Sequence, residues 1–81
     1  MRFVDHPGHF PGDPLVPGAA LLDAIADALP RPLVGLERVR FLAPVRPGDE
    51  AALEHRIDGD RVSFTLRVGD VTVLRGVGSL G

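Results

Sequence analysis

The sequence predicts an α+β domain in which one central helix is wrapped by a curved antiparallel β-sheet. Three observations lead to this fold class. The 81-residue chain has one segment with helical periodicity, and prolines bound it at both ends. Most of the chain after it alternates apolar and polar residues with a period of two, which is typical of strands with one buried face. Short turn sequences separate these strands, and short connections favour antiparallel neighbours.

Composition limits the size and the class of the protein. The chain is long enough for one domain, which we expect to span residues 1–81. A domain this short buries only about 60% of the surface that its unfolded form exposes. Cysteine is absent, which excludes disulfides and thiolate-bound metals. We therefore expect a dimer as the source of additional burial.

Charge and hydropathy exclude two classes of partner. The net charge of −2 argues against binding to nucleic acid. The sequence has no basic N-terminus followed by an apolar run, and no apolar stretch long enough to span a bilayer. We therefore expect a cytoplasmic protein without a membrane partner.

Prolines and glycines interrupt the chain from Pro7 to Gly18, after a short predicted opening strand at residues 2–5. Proline lacks an N–H and fixes φ, so this stretch is incompatible with a helix or an inner strand. Apolar residues lie between the prolines, and we interpret the segment as an ordered loop.

The helix is predicted from Pro17 to Leu29. Proline suits the first helical position, and two prolines beyond residue 29 end the helix. The apolar face consists of Leu21, Leu22, Ile25, Ala28 and Leu29. Asp23 and Asp27 lie on the opposite side, and the positions between the two sides are alanines: Ala20, Ala24 and Ala26. A helix that is apolar nearly all round is predicted to be buried.

Four strands are predicted after the helix, and the last covers roughly residues 71–79. The first three place alternating residues on a shared inner face: Val39, Phe41, Ala43 and Val45; Ala51, Leu53, His55 and Ile57; and Val62, Phe64, Leu66 and Val68. Since His55 belongs to an apolar face, we expect a hydrogen-bonded packing histidine there rather than a ligand.

Turn sequences join these strands. Residues 46–49 read Arg-Pro-Gly-Asp, with proline and glycine in the central positions of a type II turn. Asp58-Gly59 predicts a tight hairpin, and Gly69-Asp70 predicts another turn. The resulting topology is an antiparallel meander. A helix of about 12 residues is about 18 Å long and a strand of about 10 residues spans about 33 Å, so such strands can curl around the helix.

The loop and the helix together carry a motif. It reads Gly8-His9-Phe10-Pro11-Gly12-Asp13-Pro14, followed by Pro17-Gly18 and then by Asp23. This pattern resembles the signature of the 3-hydroxyacyl-acyl-carrier-protein dehydratases, which have the hotdog fold, and it is most similar to their short, ApeI-like members. Residues 39–41 and 44–49 resemble the central strand and turn of that family. The resemblance covers nearly the whole chain, and its first block is the more specific.

The resemblance implies a role for each matching residue. His9 matches the catalytic histidine, Asp23 matches the catalytic acid, and Gly18 matches the glycine whose N–H binds the thioester carbonyl. The active-site loop is matched by Phe10, Pro11, Gly12 and Pro17. In this family the histidine and the acid of one site come from different protomers, so the resemblance implies a homodimer with active sites at its interface.

The implied reaction is the dehydration of a (3R)-3-hydroxyacyl thioester to the trans-2-enoyl thioester in fatty-acid, polyene or polyketide-type synthesis. The substrate would be carried on acyl carrier protein or on coenzyme A. No metal or organic cofactor is required. Eight residues precede His9, fewer than in most members, which leaves the depth of the acyl tunnel and the covering of the active-site loop open. A short or unusual acyl group is our hypothesis for the substrate.

The residue types support these roles independently of the resemblance. Removal of a proton next to a carbonyl needs a base that works near neutral pH. Histidine is the natural residue type for this base, which supports the role of His9. Asp23, on an otherwise apolar helix face, is expected to be partly desolvated, which suits a group that positions or protonates a departing hydroxyl. Gly18 lies in the first helical turn, where N–H groups lack intrahelical partners and the helix dipole favours negative charge.

Two other functions remain open. A hotdog thioesterase would hydrolyse the same thioester and would also place an acid on the central helix, but such enzymes do not typically carry this loop. The second open function is that of an inactive subunit that pairs with a longer dehydratase. Four arginines could meet an acidic carrier protein, although arginines on outward strand faces are more often solubilising charges: Arg31, Arg38, Arg40 and Arg46.

Overall fold

A computed structural model describes residues 1–3 and 15–81 of the chain. Within them lie one helix and four strands: α1 (Gly18–Ala28), β1 (Leu33–Phe41), β2 (Ala51–Asp58), β3 (Arg61–Val68) and β4 (Val71–Leu80). The strands form one antiparallel sheet in the order β1-β4-β3-β2. The buried side chains of α1 belong to the same hydrophobic core as those of the sheet. The predicted α+β class is confirmed.

The segment before α1 lies largely outside the described residues. The predicted loop can therefore be followed only from residue 15 onward. Of the predicted opening strand, Arg2 forms a single antiparallel bridge with Glu50. Val16 is buried, and its N–H donates to the carbonyl of Val45 at 2.8 Å, which ties the start of the helix to the connection that follows β1.

Helix α1 begins one residue after the predicted start. Pro17 is its N-cap and not its first helical residue, because its ψ of 148° is extended; proline fixes φ but leaves ψ free. The carbonyl of Pro17 accepts the first helical hydrogen bond from the N–H of Leu21, at 3.1 Å. The C-cap residue Leu29 is also extended, since the α region is disfavoured for a residue that precedes proline.

One face of α1 is buried and the other is exposed. Leu21 and Leu29 are buried, and Ile25 is completely inaccessible at 0% exposure. Ala19, Asp23, Asp27 and Ala28 are exposed. The prediction of a helix buried nearly all round is therefore wrong for the single chain. The reason is that α1 lies on one face of one sheet, and the alanines on its other side have no neighbouring layer among the described residues.

The inner face of the sheet is formed mainly by β3 and β4. The alternation predicted for β3 is confirmed, since Val62, Phe64 and Leu66 are buried. In β4 both Val73 and Leu74 are buried, because the β3–β4 register shifts after Leu66. Such an irregularity bends the strand and increases its local twist.

The predicted meander is confirmed for β2, β3 and β4 and wrong for β1. Strand β1 pairs with β4, so β1 and β2 lie at opposite edges of the sheet. The type II turn at residues 46–49 is present: Gly48 has φ of 92°, and the N–H of Asp49 donates to the carbonyl of Arg46 at 3.0 Å. It does not join neighbouring strands. The N–H of Gly48 donates to the carbonyl of Phe3 at 2.7 Å, so this connection pairs with the N-terminus while it crosses between the two edges.

Strand β1 ends at Phe41, before the predicted end at residue 45. Pro44 lacks the N–H that a longer ladder would need, and the N–H of Leu42 donates to the carbonyl of Val73 at 2.9 Å as the chain leaves the sheet. Val45 is buried as expected, whereas Phe41 is 54% exposed. Phe41 was therefore predicted wrongly as a core residue.

Strand β2 follows its predicted pattern only at its start. Ala51 is buried and Leu53 is half-buried, but His55 and Ile57 are exposed. The prediction of His55 as a packing residue is wrong. Because β2 is an edge strand, its side chains have a neighbouring strand on one side only.

Both predicted hairpins are present. Asp58 pairs with Arg61, so the central residues of the first turn are Gly59-Asp60 rather than Asp58-Gly59. Gly59 and Gly69 have φ of 62° and 59° at the first central position of their turns. Glycine at that position is typical of type II′ hairpins.

Gly48→Ala is expected to lower the free energy of unfolding by about 1–2 kcal/mol, which is the cost of a left-handed backbone for a residue with a Cβ. A Cβ at Gly48 would meet no atom of the described residues within 4 Å, so the strain expected from that part of the chain comes from the positive φ. Urea denaturation followed by circular dichroism measures the loss. Gly48→Asn is the matched control, since asparagine tolerates this region, and equal losses for both variants would contradict the explanation.

Candidate active site

Asp23 lies on the exposed side of α1, at the border between two grooves. One groove, of about 440 Å³, separates α1 from β1. The other, of about 320 Å³, lies between α1 and residues 1–3. The expected partial desolvation of Asp23 is wrong for the single chain, because its side chain is exposed. Both grooves are open surfaces, and a second chain laid on either one would remove water from the carboxylate.

The groove between α1 and β1 is apolar apart from Asp23. Its walls consist of Ala19, Leu22 and Ala26 on the helix and Leu33, Val34, Gly35 and Leu36 on the strand. Val34 is 66% exposed, and Leu36 is also exposed. Since β1 is an edge strand of the described sheet, its outer backbone edge and these exposed apolar side chains form one continuous surface beside the carboxylate. A hydrocarbon chain or a second subunit fits such a surface better than water does.

Gly18 is the first residue of α1, and its N–H lies in the turn where no intrahelical acceptor exists. No acidic residue lies in this first turn, so no side-chain charge there offsets the positive end of the helix dipole. The ring of Phe41 packs directly on Gly18. A Cβ at this position would lie 2.9 Å from both Cε1 and Cζ of that ring. Only glycine fits here unless the ring moves.

Beside Gly18 lies a second apolar groove, of about 590 Å³. Leu15 and Leu21 line one side, and the chain from Phe41 to Val45 lines the other. The groove therefore places a backbone donor at the helix N-terminus next to an apolar surface. A thioester carbonyl with its acyl chain has this combination of one acceptor and a long apolar part.

Gly18 and Asp23 do not share a groove among the residues that the structure describes. They are five residues apart on α1, which corresponds to about 140° around the helix and about 7.5 Å along it. Gly18 lines the groove next to Phe41, and Asp23 lines the two grooves on the other side. Gly18 and Asp23 of one chain are thus separated by the body of the helix.

The remaining predicted site residues divide into two groups. Pro17 is half-buried and caps α1, so it fixes the point at which the loop enters the helix. His9, Phe10, Pro11 and Gly12 lie outside the described residues. Their roles stay predictions.

Sequence reasoning missed two features of this region. Phe41 was expected to be a core residue, but it lies on the helix side of the sheet as an exposed ring that covers Gly18. The exposed apolar residues of β1 were not singled out, because the strand was recognised only from residue 38 onward. The adjacent Leu33 and Val34 carried a usable signal, since an apolar pair with a β-branched valine, directly after a proline, is typical of a strand start. Among residues 1–3 and 15–81, no helix is long and apolar enough to cross a membrane.

Comparison with known proteins gives consistent matches. The family model for ApeI-like proteins, described as ApeI dehydratase, matches residues 3–76. The 3-hydroxyacyl-[acyl-carrier-protein] dehydratase FabZ of Syntrophobacter fumaroxidans is 38% identical over 64 residues, which cover 62% of this chain and 44% of the relative. The FabZ of Thermus thermophilus is 39% identical over 80 residues, which cover 82% of this chain and 54% of the relative. The chain thus spans about half the length of the curated relatives it matches.

A solved structure with a similar fold is the dehydratase heterocomplex ApeI:P from Xenorhabdus doucetiae. The match has a TM-score of 0.77 and 27% sequence identity, and it covers 96% of this chain and 80% of that one. The likeness therefore extends over nearly every element described above.

Proposed function

The chain belongs to the ApeI-like dehydratase family and has its hotdog fold, and from this premise we propose that it dehydrates a (3R)-3-hydroxyacyl thioester to the trans-2-enoyl thioester. The observation that carries the proposal is the position of Asp23. Its carboxylate borders an apolar groove on a helix whose N-terminal N–H, that of Gly18, has no hydrogen-bond partner among residues 1–3 and 15–81. The FabZ relatives are named for acyl-carrier-protein substrates, and the proposed substrate is accordingly a thioester on acyl carrier protein.

In the proposed mechanism, His9 removes the proton from carbon 2 of the acyl group. Negative charge then develops on the thioester oxygen, where the N–H of Gly18 and the positive end of α1 stabilise it. The carbon–oxygen bond at carbon 3 breaks, a proton from Asp23 converts the departing hydroxyl to water, and the double bond forms between carbons 2 and 3. Transfer of the proton held by His9 back to Asp23 resets the pair.

We further propose that the active sites are completed by a second copy of the chain that covers β1. Two observations support this arrangement: Gly18 and Asp23 line different grooves in one chain, and the edge strand beside Asp23 exposes Val34 and Leu36. A two-fold interface brings the same patch from both subunits together, so each Asp23 would be covered by residues of the other subunit. The solved relative is a heterocomplex, and a different subunit is therefore the alternative occupant of this surface.

Val34→Glu is expected to convert the dimer to a monomer, because it places a charge at the centre of the proposed apolar interface. Sedimentation equilibrium should then give the 8.6 kDa mass of one chain. Val71→Glu is the matched control, since Val71 is also exposed (53%) but lies at the turn between β3 and β4. Dissociation by both variants would argue against an interface at β1, and a monomeric unmodified protein would favour a different subunit as partner.

The catalytic proposal is tested with purified protein and 3-hydroxyacyl thioesters on acyl carrier protein, with the products followed by mass spectrometry. Loss of one water from the acyl group is the expected result. Release of the free 3-hydroxy acid would instead identify a thioesterase. No reaction with any chain length would refute the enzyme proposal and leave binding as the function of the motif.

A further inference from the structure

Three arginines are grouped on the face of the sheet that points away from α1. Arg40 on β1 is directly opposite Arg75 on β4, and Arg38 lies two residues earlier on the same face of β1. The intervening Val39 is half-buried on the inner face, as alternation along a strand requires. These three arginines, called the arginine cluster below, line one shallow cavity of about 320 Å³.

The arginine cluster has no counter-charge in the described part of the chain. Four other arginines each form an ion pair with a carboxylate: Arg2 with Glu50, Arg31 with Asp60, Arg61 with Glu37 and Arg67 with Glu54. None of the three cluster guanidinium groups has such a partner among residues 1–3 and 15–81. Like charges directly opposite each other on neighbouring strands destabilise a sheet. A ligand that supplies negative charge would remove this cost.

The surroundings of the cluster favour a carboxylate-rich surface over a single small anion. Ser63 and Thr65 on β3 line the same cavity and offer hydroxyl groups. The three arginines lie on two strands and are exposed. Each guanidinium group can donate two parallel hydrogen bonds to one carboxylate, so the cluster can bind several carboxylates at once. The chain as a whole has a net charge of −2, which makes this positive patch a local feature and not a property of the entire surface.

The cluster is also close to the proposed active site along the chain. Arg40 immediately precedes Phe41, whose ring packs on Gly18. Because consecutive strand residues point to opposite faces, the cluster lies across the sheet from the groove at the N-terminus of α1. A partner bound to the cluster would stand at the end of β1, from which a tethered thioester can reach around the strand end to that groove.

We propose that the arginine cluster is the docking surface for a carboxylate-rich face of the acyl carrier protein that delivers the thioester. This inference rests on the proposed dehydratase function and adds to it the location of carrier recognition. Side chains on the outer sheet face stay exposed when β1 pairs edge-to-edge with another strand, because they stand perpendicular to the sheet. Docking of the carrier is thus compatible with the proposed dimer.

The test measures the double variant Arg40→Glu/Arg75→Glu with one 3-hydroxyacyl group presented on three carriers: acyl carrier protein, coenzyme A and N-acetylcysteamine. For the protein carrier, KM should rise by on the order of 10-fold or more while kcat is retained, since charge complementarity acts mainly on encounter. For N-acetylcysteamine, which carries neither protein nor phosphate, KM should be unchanged. Added salt should raise KM for the protein carrier with the unmodified enzyme and much less with the variant.

Arg56→Glu is the matched control. Arg56 is exposed and has no ion pair among the described residues, but it lies on β2, at the opposite edge of the sheet from β1. This reversal of one charge, half of the change in the double variant, should leave KM for the protein carrier within about twofold. Strand β2 lies three strand spacings, about 14 Å, from Arg40 on β1 and two spacings, about 10 Å, from Arg75 on β4. An equal effect of both changes would mean that net charge, and not the cluster, sets the affinity.

Two other outcomes would overturn the proposal. An equal rise of KM for coenzyme A and for the protein carrier would show that the cluster binds phosphate. An unchanged KM for the protein carrier would show that the cluster does not take part in docking. Failure of the dehydratase proposal is recognised by a separate binding experiment. Unloaded acyl carrier protein is titrated into the unmodified protein and into the Arg40→Glu/Arg75→Glu variant, with calorimetric detection. Binding to the unmodified protein but not to the variant, in the absence of any turnover, would support the docking surface and refute the reaction.

Discussion

Asp23→Asn and His9→Ala are each expected to lower kcat for dehydration by on the order of 100-fold or more, since a positioned general acid or base contributes about 10²–10⁴-fold. Asparagine keeps the size of the aspartate side chain but cannot exchange a proton. Because Asp23 is exposed, its replacement should leave the free energy of unfolding nearly unchanged, and the loss of activity can be read as a loss of chemistry. The measurement is steady-state turnover of a 3-hydroxyacyl thioester.

Asp27→Asn is the matched control for Asp23. Asp27 lies one turn further along α1, is also exposed, and borders the groove next to residues 1–3 but not the described groove between α1 and β1. Its replacement should change kcat by less than about threefold, as expected for a surface carboxylate without a role in proton transfer. An equal loss for both variants would point to the overall charge of the helix as the cause, and would remove the special role of Asp23.

Mixing the two inactive variants tests whether each site is shared between subunits. If the histidine and the acid of one site come from different subunits, a mixed dimer of His9→Ala and Asp23→Asn contains one intact site. After random exchange of subunits, about a quarter of the original activity should therefore return, because about half of the two-fold dimers are mixed. No recovery after verified exchange would place both residues of a site in the same chain.

The sequence predicted the parts of the fold that depend on local rules. Prolines bound α1 to within one residue, and the proline and glycine at residues 47 and 48 form the expected type II turn. The alternation in β3 correctly identified its buried residues. Each of these features is decided by the conformational preferences of a few neighbouring residues.

The errors concern contacts between distant parts of the chain. Strand β1 pairs with β4, and the connection after β1 forms hydrogen bonds with the N-terminus, such as that between Gly48 and Phe3; no local pattern encodes either contact. The exposure of His55 follows from the edge position of β2. For the site, the motif located Asp23 and Gly18 on α1 but could not show that they line different grooves. That separation depends on how the helix lies on the sheet.

Gly78→Ala is expected to lower the free energy of unfolding by about 2–3 kcal/mol, as overpacking at a close contact typically does. A Cβ at Gly78 would lie 2.5 Å from the carbonyl oxygen of Gly35 and 2.8 Å from Cδ1 of Leu33. The first of these atoms belongs to the backbone of β1, so relief requires a shift of the whole β1–β4 ladder. A domain of 81 residues has a total stability of roughly 4–12 kcal/mol, and the loss is a large part of it.

Gly35→Ala separates crowding from the general effect of a new methyl group. Gly35 lies in the opposing strand of the same ladder, and a Cβ there would make only ordinary contacts, at 3.7 Å from Oγ of Ser79. Its replacement should change the free energy of unfolding by less than about 0.5 kcal/mol, measured by the same denaturation experiment. Equal losses would show that both glycines are needed for backbone flexibility and not for space. Because β1 also carries the proposed interface, Gly78→Ala should weaken dimerisation as well, and a variant that is destabilised yet dimerises normally would argue that the subunits meet elsewhere.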